Sequence, residues 1–307
     1  MKNLFYNQET SSLRNGWRIA ICLLCYIIIV FIITSVQRFF SPLEPIIGNT
    51  TVKNLLLFIL YASITITTWF ILRFIDKRPF YSLGISFKGN FIKELSQGIF
   101  LGFVMMSSIF IIEYFLGMAT LTFKNFTSFD IISLLFYSVM ANILIAYGEE
   151  FLFRGYIFQS LLEGTNKVIA IIILSLLFGI AHAINPNVTI FSIINIVVAG
   201  ILLSTAYIKT HSLWLSIGIH FSWNFTQGCI FSFPVSGQVS KNTITTLSQT
   251  GPEWITGGAF GPEGGILSTI IVGGTIFFIY YSPWFSISKN SWSFSTWLEE
   301  KASLSNK

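Results

Sequence analysis

The sequence has few charged residues for its length. Of its 307 residues, 10% are charged, whereas an ordinary soluble domain has roughly 25%. A chain with 53% hydrophobic residues and a mean hydropathy of +0.72 could not cover its surface with polar groups. The composition therefore excludes the ordinary soluble class and predicts a multi-pass integral membrane protein of the cell membrane, in contact with membrane lipid.

Cysteine is also scarce. Of the three cysteines, Cys22 and Cys25 form a C-x-x-C pair, and Cys229 lies far along the chain. The pair lacks the further ligands that a zinc or redox site would need. We expect all three cysteines to pack as buried apolar residues.

Eight apolar segments are long enough, or nearly long enough, to cross a bilayer, for which about 20 residues are needed. They are Ile19–Val36, Asn54–Leu72, Leu95–Ile112, Asp130–Glu163, Val168–Ala181, Val188–Ile208, Ser212–Ser232 and Gly265–Tyr281. As one straight helix, Asp130–Glu163 would reach about 51 Å, which exceeds a hydrocarbon core of about 30 Å. We expect it to tilt strongly or to break near Gly148.

The basic residues bracket these segments and form no single patch, which argues against nucleic acid as a partner despite the net charge of +5. With the N-terminus inside, 14 of the 18 Lys and Arg residues fall on the inner side, as the positive-inside rule requires. The pattern predicts an all-α polytopic bundle of about eight spans, with both termini cytoplasmic and the first span retained as an anchor. We expect one membrane domain, 1–307, with an outer loop at Phe233–Gly264 and a cytoplasmic tail at 283–307.

Three predicted spans carry polar side chains that are costly in a membrane, since an acid costs about 2.5–3.5 kcal/mol on insertion scales. Helical rise places Glu149, His182 and Asn224 about 20–22 Å from the inner boundary and His220 about 14 Å from it, so the four lie in a common slab of the membrane to within about one helical turn. His220 and Asn224 share one helical face at i, i+4. The four polar groups are therefore predicted to converge.

The two neighbouring acids have different predicted roles. Glu150 and Arg154 are spaced i, i+4 with the acid first, which favours an ion pair. Glu149 lies about 100° around the helix and cannot easily share that partner. Phe178 precedes His182 by one turn and should form an aromatic wall beside the imidazole.

Other polar residues have simpler interpretations. Glu113 lies about 30 Å along its helix from Lys93 and is expected at the outer interface. His211 neighbours Lys209 in an inner loop and is not a site candidate. The Glu150–Arg154 pair could also be purely structural.

The ordered motifs Glu149-Glu150-x-x-x-Arg154, Phe178-x-x-x-His182 and His220-x-x-x-Asn224 resemble those of the CAAX protease and bacteriocin-processing family of intramembrane endopeptidases, also called the abortive-infection family. The matching region is about 130–224. The resemblance implies cleavage of a peptide or lipidated protein substrate. It also implies that Glu149 and His182 activate water, and that His220 and Asn224 stabilise the oxyanion.

The residues support such chemistry in two ways. Amide hydrolysis needs a base, oxyanion donors and an acid for the leaving amine, and Glu149 could serve as base and then as acid. Alternatively, Glu149, His182 and His220 match the two-His, one-carboxylate set of catalytic zinc. The sequence lacks H-E-x-x-H, so we favour a mechanism without a cofactor and keep Zn²⁺ as the alternative.

Two other classes of function fit buried acids and histidines. A transporter or proton relay would place them at mid-membrane, although internal repeats are then usual and none is evident. A non-catalytic immunity or scaffold protein could retain the site as packing. Substitution of Glu149 separates a scaffold from an enzyme, because a scaffold would keep its function.

Overall fold

The computed structural model describes residues 5–7, 12–40 and 49–287. The predicted cytoplasmic tail, 283–307, therefore lies outside the described residues from position 288 onward. Lys2, Lys289, Lys301 and Lys307, which are predicted on the inner side, lie outside the described residues as well.

Helices dominate the described residues, with two small strand pairs. The α-helices are α1 (Asn15–Phe40), α2 (Asn49–Phe70), α3 (Phe91–Phe115), α4 (Ser128–Glu150), α5 (Phe158–Gly164), α6 (Lys167–Ala181), α7 (Ile190–Thr210), α8 (Trp214–Phe225), α9 (Glu253–Thr256) and α10 (Ile266–Tyr281). π-helical turns extend α2 over Ile71–Asp76, join α4 to α5 over Phe151–Ile157, and extend α8 over Thr226–Ile230. The strands are β1 (Tyr6–Asn7), β2 (Ser12–Leu13), β3 (Ala119–Phe123) and β4 (Thr245–Gln249), paired antiparallel as β1–β2 and β3–β4.

Each of the eight predicted apolar segments coincides with a helix. Five helical stretches are long and apolar enough to cross a membrane, and Lys167–Ala181 and Ile266–Tyr281 are shorter apolar helices. Large apolar side chains such as Phe31 and Phe277 are 71% and 66% exposed, as lipid-facing groups are in a membrane protein. The predicted class, an all-α multi-pass membrane protein, is confirmed, and the eight-span count and the side of the termini stay predictions.

The stretch Ser128–Gly164 forms one continuous helical segment. It begins at a capping box in which Thr127 and Asp130 satisfy each other's backbone N–H groups, as helix N-termini require. Of the two expectations for this segment, a strong tilt or a break near Gly148, the break does not occur, and the helix changes to π geometry at Phe151. Gly148 is needed for close helix packing, because a Cβ atom there would lie 1.9 Å from the ring of Tyr61. The glycine allows α2 to approach α4 beside the two glutamates.

Glycines also bring α3 and α8 into backbone contact. A Cβ atom at Gly98 would lie 2.4 Å from the carbonyl oxygen of Leu215, and one at Gly102 would lie 2.5 Å from that of Ile219. Small residues four apart are the usual means by which membrane helices approach closely. This contact fixes the position of α8, which carries His220.

One end of the bundle, here called the ionic end, holds a cluster of four charged side chains. Arg18 contacts Asp76 at 2.7 Å and Glu163 at 2.6 Å, and Arg78 binds the other oxygen of Glu163. The cluster joins the start of α1 to the end of the second helix and to the end of α5. Arginine suits such paired contacts because its fork can bind two carboxylates at once.

The opposite end, here called the loop end, consists of β3 and the segment Phe233–Gly264, which contains β4. The segment follows the predicted loop boundaries, but it is folded into strand and short helices that pack on the bundle. Glu113, expected at the outer interface, is instead fully buried there and accepts a hydrogen bond of 2.8 Å from Gln249 on β4. The burial results because the strand pair covers this end of α3, and the interface position of Glu113 stays a prediction.

Candidate active site

Glu149 and Glu150 end α4 and face different surroundings, as predicted. The side chain of Glu150 is fully buried, and its Oε1 accepts a hydrogen bond of 2.9 Å from Nη1 of Arg154. The side chain of Glu149 is 24% exposed and lines a cavity. The predicted i, i+4 ion pair is therefore present, and Glu149 does not take part in it.

Arg154 and Phe178 form the wall behind the site. The fully buried guanidinium lies over the ring of Phe178, with 4.3 Å from Cζ to the ring centroid, a cation–π arrangement. It also donates to the carbonyl of Gly200 at 3.4 Å. Phe178 contacts the imidazole of His182 with 4.7 Å between ring centroids, so it is the aromatic wall that the spacing predicted.

The two imidazoles are each oriented through Nδ1. Nδ1 of His182 lies 2.8 Å from the carbonyl oxygen of Phe178, and Nδ1 of His220 lies 2.9 Å from Oε1 of Glu150. Both partners are acceptors when Glu150 is ionised, so hydrogen-bond chemistry assigns the proton to Nδ1 in both rings. The Nε2 atoms of both rings therefore remain available to a ligand in the cavity that the two histidines line.

Glu149 completes the arrangement. Its Oε2 lies 3.9 Å from Nε2 of His182 and 4.0 Å from Nε2 of His220, and it has no hydrogen-bond partner among residues 5–7, 12–40 and 49–287. A carboxylate oxygen between two ring nitrogens at this distance can share a small ligand with both. A water molecule has the required size.

Asn224 lies one turn after His220 on α8. It is 7% exposed and lines the same cavity as Glu149 and both histidines. The structure therefore brings together all four residues predicted to converge. His211, which the sequence did not favour, lies at the end of α7 in the left-handed conformation.

Sequence reasoning missed one acid of the cavity, Glu263. Its carboxylate accepts hydrogen bonds from the indole N–H of Trp223 at 3.2 Å and from the backbone N–H and hydroxyl of Ser236. Its own carbonyl oxygen accepts from Asn195 on α7 at 2.8 Å. Glu263 lies in a polar loop with no helical period, so no sequence pattern connects it to the motif helices.

The sequence also missed the contact between Glu150 and His220. The two residues are 70 positions apart, and i, i+4 spacing relates residues of one helix only. Their hydrogen bond makes Glu150 a common partner of Arg154 and His220. Glu150 thereby connects the first motif to the third.

The cavity has a volume of about 620 Å³ and a mixed lining. Apolar side chains of α3, α7 and α10, including Met105, Leu203 and Val272, form part of the lining. The lining also carries amides and hydroxyls, several of them from the segment between Ser236 and Asn242. A pocket of this size with a few convergent polar groups is typical of a binding site.

Comparisons with known proteins agree with this geometry. The chain is similar to the uncharacterized protein YyaK of Bacillus subtilis (strain 168), with 24% identity over 234 residues that cover 75% of this chain and 78% of that protein. No solved structure matches. Residues 131–226 match the family model described as type II CAAX prenyl endopeptidase Rce1-like, which confirms the resemblance to the CAAX protease family over the segment that carries all three motifs.

Proposed function

We propose that this protein is an intramembrane endopeptidase in which Glu149 activates water. The observation that carries the proposal is the position of Glu149 Oε2, which has no hydrogen-bond partner among the described residues, between the Nε2 atoms of His182 and His220 at the wall of the cavity. The family match supports a CAAX-type protease. The assignment of individual roles rests on the local geometry and on the motif resemblance.

The first step is attack of water on the peptide carbonyl. Glu149 takes one proton, and the resulting hydroxide forms a bond to the carbonyl carbon as the C=O electron pair moves to oxygen. With its own proton on Nδ1, His182 offers Nε2 as an acceptor for the second hydrogen of the same water. Glu149 and His182 thus orient the water from two sides.

The second step is collapse of the tetrahedral intermediate. Glu149 returns its proton to the leaving nitrogen as the C–N bond breaks, which balances the reaction. The amide of Asn224 can donate to the oxyanion directly. His220 can donate through Nε2 only as imidazolium, because Nδ1–H is directed to Glu150, and the carboxylate of Glu150 favours that charged form.

Zinc is the alternative way to use the same groups. Glu149, His182 and His220 would hold the ion, and the Nδ1 contacts with a carbonyl and a carboxylate are those that usually orient metal-binding histidines. A bound zinc ion would polarise the carbonyl and lower the pKa of its water. The residue types are those of a zinc site, but the described residues include no group of three His, Cys, Asp or Glu side chains placed to hold a metal ion. We favour the mechanism without metal because Glu149 and two imidazoles suffice to position water.

The proposal is tested by comparing peptide termini in membranes that contain wild-type protein or Glu149→Gln. The variant removes the base with little change in volume, so we expect wild-type-dependent termini to disappear while the protein level stays the same. Glu253→Gln, an exposed loop variant, is the matched control and should retain the termini. Identical termini with wild type and Glu149→Gln would favour the scaffold or transporter alternatives.

A further inference from the structure

We propose that the cavity opens on the outer side of the membrane and takes a peptide segment without acidic residues that is exposed there. This inference rests on the proposed protease function and names its substrate class. It differs from the expectation of a cytoplasmic prenylated protein, which the family description alone would suggest.

The opening of the cavity lies at the loop end of the bundle. Val239 lines the cavity and is 76% exposed. The neighbouring loop is held to the bundle by hydrogen bonds from Asn185 to the carbonyl of Ser236 at 3.1 Å and from Ser138 to the carbonyl of Asn242 at 3.2 Å. A ligand that enters beside Val239 therefore passes this attached loop.

The opposite side of the cavity is closed. Phe153 and Phe178 line it with their rings packed edge to face at 5.1 Å. The Arg154–Glu150 pair lies behind Phe178 and is wholly inaccessible. Among the described residues, the cavity lining includes none from the loops of the ionic end.

The distribution of charge identifies the loop end as the outer end. Basic residues gather at the ionic end and are sparse at the loop end, and the positive-inside rule assigns the basic side to the cytoplasm. Those of the ionic end are Arg14, Arg18, Arg73, Lys77, Arg78, Lys88, Lys93, Lys167 and Lys209. Those of the loop end are Arg38, Lys53, Lys124 and Lys241.

The position of the reacting groups along the helices agrees with outer access. α6 begins beside the basic Lys167 at the ionic end and ends at His182, about 22 Å further on at 1.5 Å per residue. A cytoplasmic chain end would have to cross that distance and pass the buried Arg154. A segment at the outer face needs to pass only the loop beside Val239.

The lining chemistry disfavours an acidic segment. Glu149 and Glu263 line the cavity, and no Lys or Arg belongs to its lining among the described residues. An acidic side chain close to the scissile bond would lack a Lys or Arg partner and would meet two carboxyl groups. The amides of Asn142, Asn185 and Asn224 can bond the backbone of an extended chain, and the apolar lining can take an aliphatic side chain.

The access side can be measured without reference to protease activity. Val239→Cys and the matched ionic-end variant Asn90→Cys would be made with Cys22, Cys25 and Cys229 replaced by alanine, and intact cells would be treated with a membrane-impermeant maleimide. Val239→Cys should be labelled in intact cells, and Asn90→Cys only after permeabilisation. The reverse pattern, or equal labelling of both, would overturn the proposed side of access.

The same two variants in the unaltered cysteine background keep the test valid if the alanine replacements prevent folding. Cys22 and Cys229 are 0% and 2% exposed and should not react with the maleimide. Labelling of the wild-type chain measures the background from Cys25. A loss of labelling difference in both backgrounds would count against the proposal.

The substrate class is tested by locating the termini that require Glu149. They should map to outer segments of membrane or exported proteins, with no acidic residue next to the cleaved bond. Termini confined to cytoplasmic segments would overturn this inference and leave the protease function standing. Complete absence of Glu149-dependent termini would overturn the protease function and this substrate class, whereas the maleimide result would still report the side of the opening.

Discussion

Glu150 is a positioning residue whose carboxylate satisfies two partners at once. Oε1 accepts from Arg154 and from His220, each at 2.9 Å, in a fully buried position. Removing the charge leaves the guanidinium buried without a counter-ion, which typically costs about 3–5 kcal/mol. We predict that Glu150→Gln lowers the melting temperature of the purified protein markedly, and that thermal unfolding in detergent detects the change.

The adjacent Glu149 supplies the control for that prediction. Its Oε2 has no protein partner among the described residues, so Glu149→Gln should abolish cleavage while the melting temperature stays close to that of wild type. If both substitutions reduced stability equally, the proposed division between the two acids would be wrong.

His220 distinguishes the two mechanisms at the level of one side chain. Without metal, His220→Ala removes one oxyanion donor, which costs about 10²–10³ in rate, and exhaustive chelation leaves wild-type turnover intact. The purified protein should then hold well under one zinc per chain. Elemental analysis and rates with and without chelator measure both quantities.

The zinc alternative makes the opposite prediction for the same samples. As ligands, His182 and His220 would both be required for the ion, so His182→Ala and His220→Ala would each lose it. Stoichiometric zinc in the wild type, its loss in both variants and turnover sensitive to chelator would together replace the metal-free mechanism. Such a result would leave the protease assignment unchanged.

The motif residues could be predicted because each signal is local to one helix. Glu150–Arg154 and Phe178–His182 lie one turn apart, and helical geometry alone places such pairs on one face. The contact of Glu150 with His220 could not be found this way, because it depends on how α4 packs against α8. Helical rise places both residues at a similar depth in the membrane, but it does not fix how one helix is rotated about its axis relative to the other.

At the scale of elements, the contact between α3 and α8 positions half of the site. A Cβ atom at Gly102 would lie 2.5 Å from the carbonyl oxygen of Ile219 and 2.8 Å from the backbone nitrogen of Trp223. Both are backbone atoms next to the third motif, so the helices must separate to admit a methyl group. We predict that Gly102→Ala destabilises the protein by about 1–3 kcal/mol and reduces cleavage further than stability alone explains, because His220 moves with α8.

Gly273 on α10 is the matched control, since a Cβ atom there meets nothing within 4 Å. Gly273→Ala should leave cleavage unchanged and leave the melting temperature equal or slightly higher, as expected for alanine in a helix. Melting temperature and cleavage rate would be measured on both variants. Equal behaviour of Gly102→Ala and Gly273→Ala would show that close contact of α3 and α8 is not required.

At the scale of the whole molecule, the sequence predicted the helices well and the loop end poorly. Apolar runs such as Ile19–Val36 are long enough to identify by composition. The pairing of β3 with β4 joins segments more than 120 positions apart, and each strand has only five residues. The burial of Glu113 and Glu263 follows from that folded loop, so no property of their own segments could predict it.

Glu263 attaches the segment Phe233–Gly264 to the bundle through its hydrogen bonds with Trp223 and Asn195, and this attachment should depend on pH. Burial raises the pKa of its carboxyl above the ordinary 4.5, and the hydrogen bonds from Ser236 partly offset that rise. Because the folded state holds the proton more tightly than the unfolded state, this group contributes most stability below 4.5, and the contribution is lost as pH rises through the folded-state pKa. Glu263→Gln cannot titrate, and so we predict that the melting temperature of wild type falls relative to that of the variant as the pH rises above 4.5. Parallel curves for the two proteins, measured by thermal unfolding in the same detergent, would show that Glu263 does not titrate differently in the folded protein.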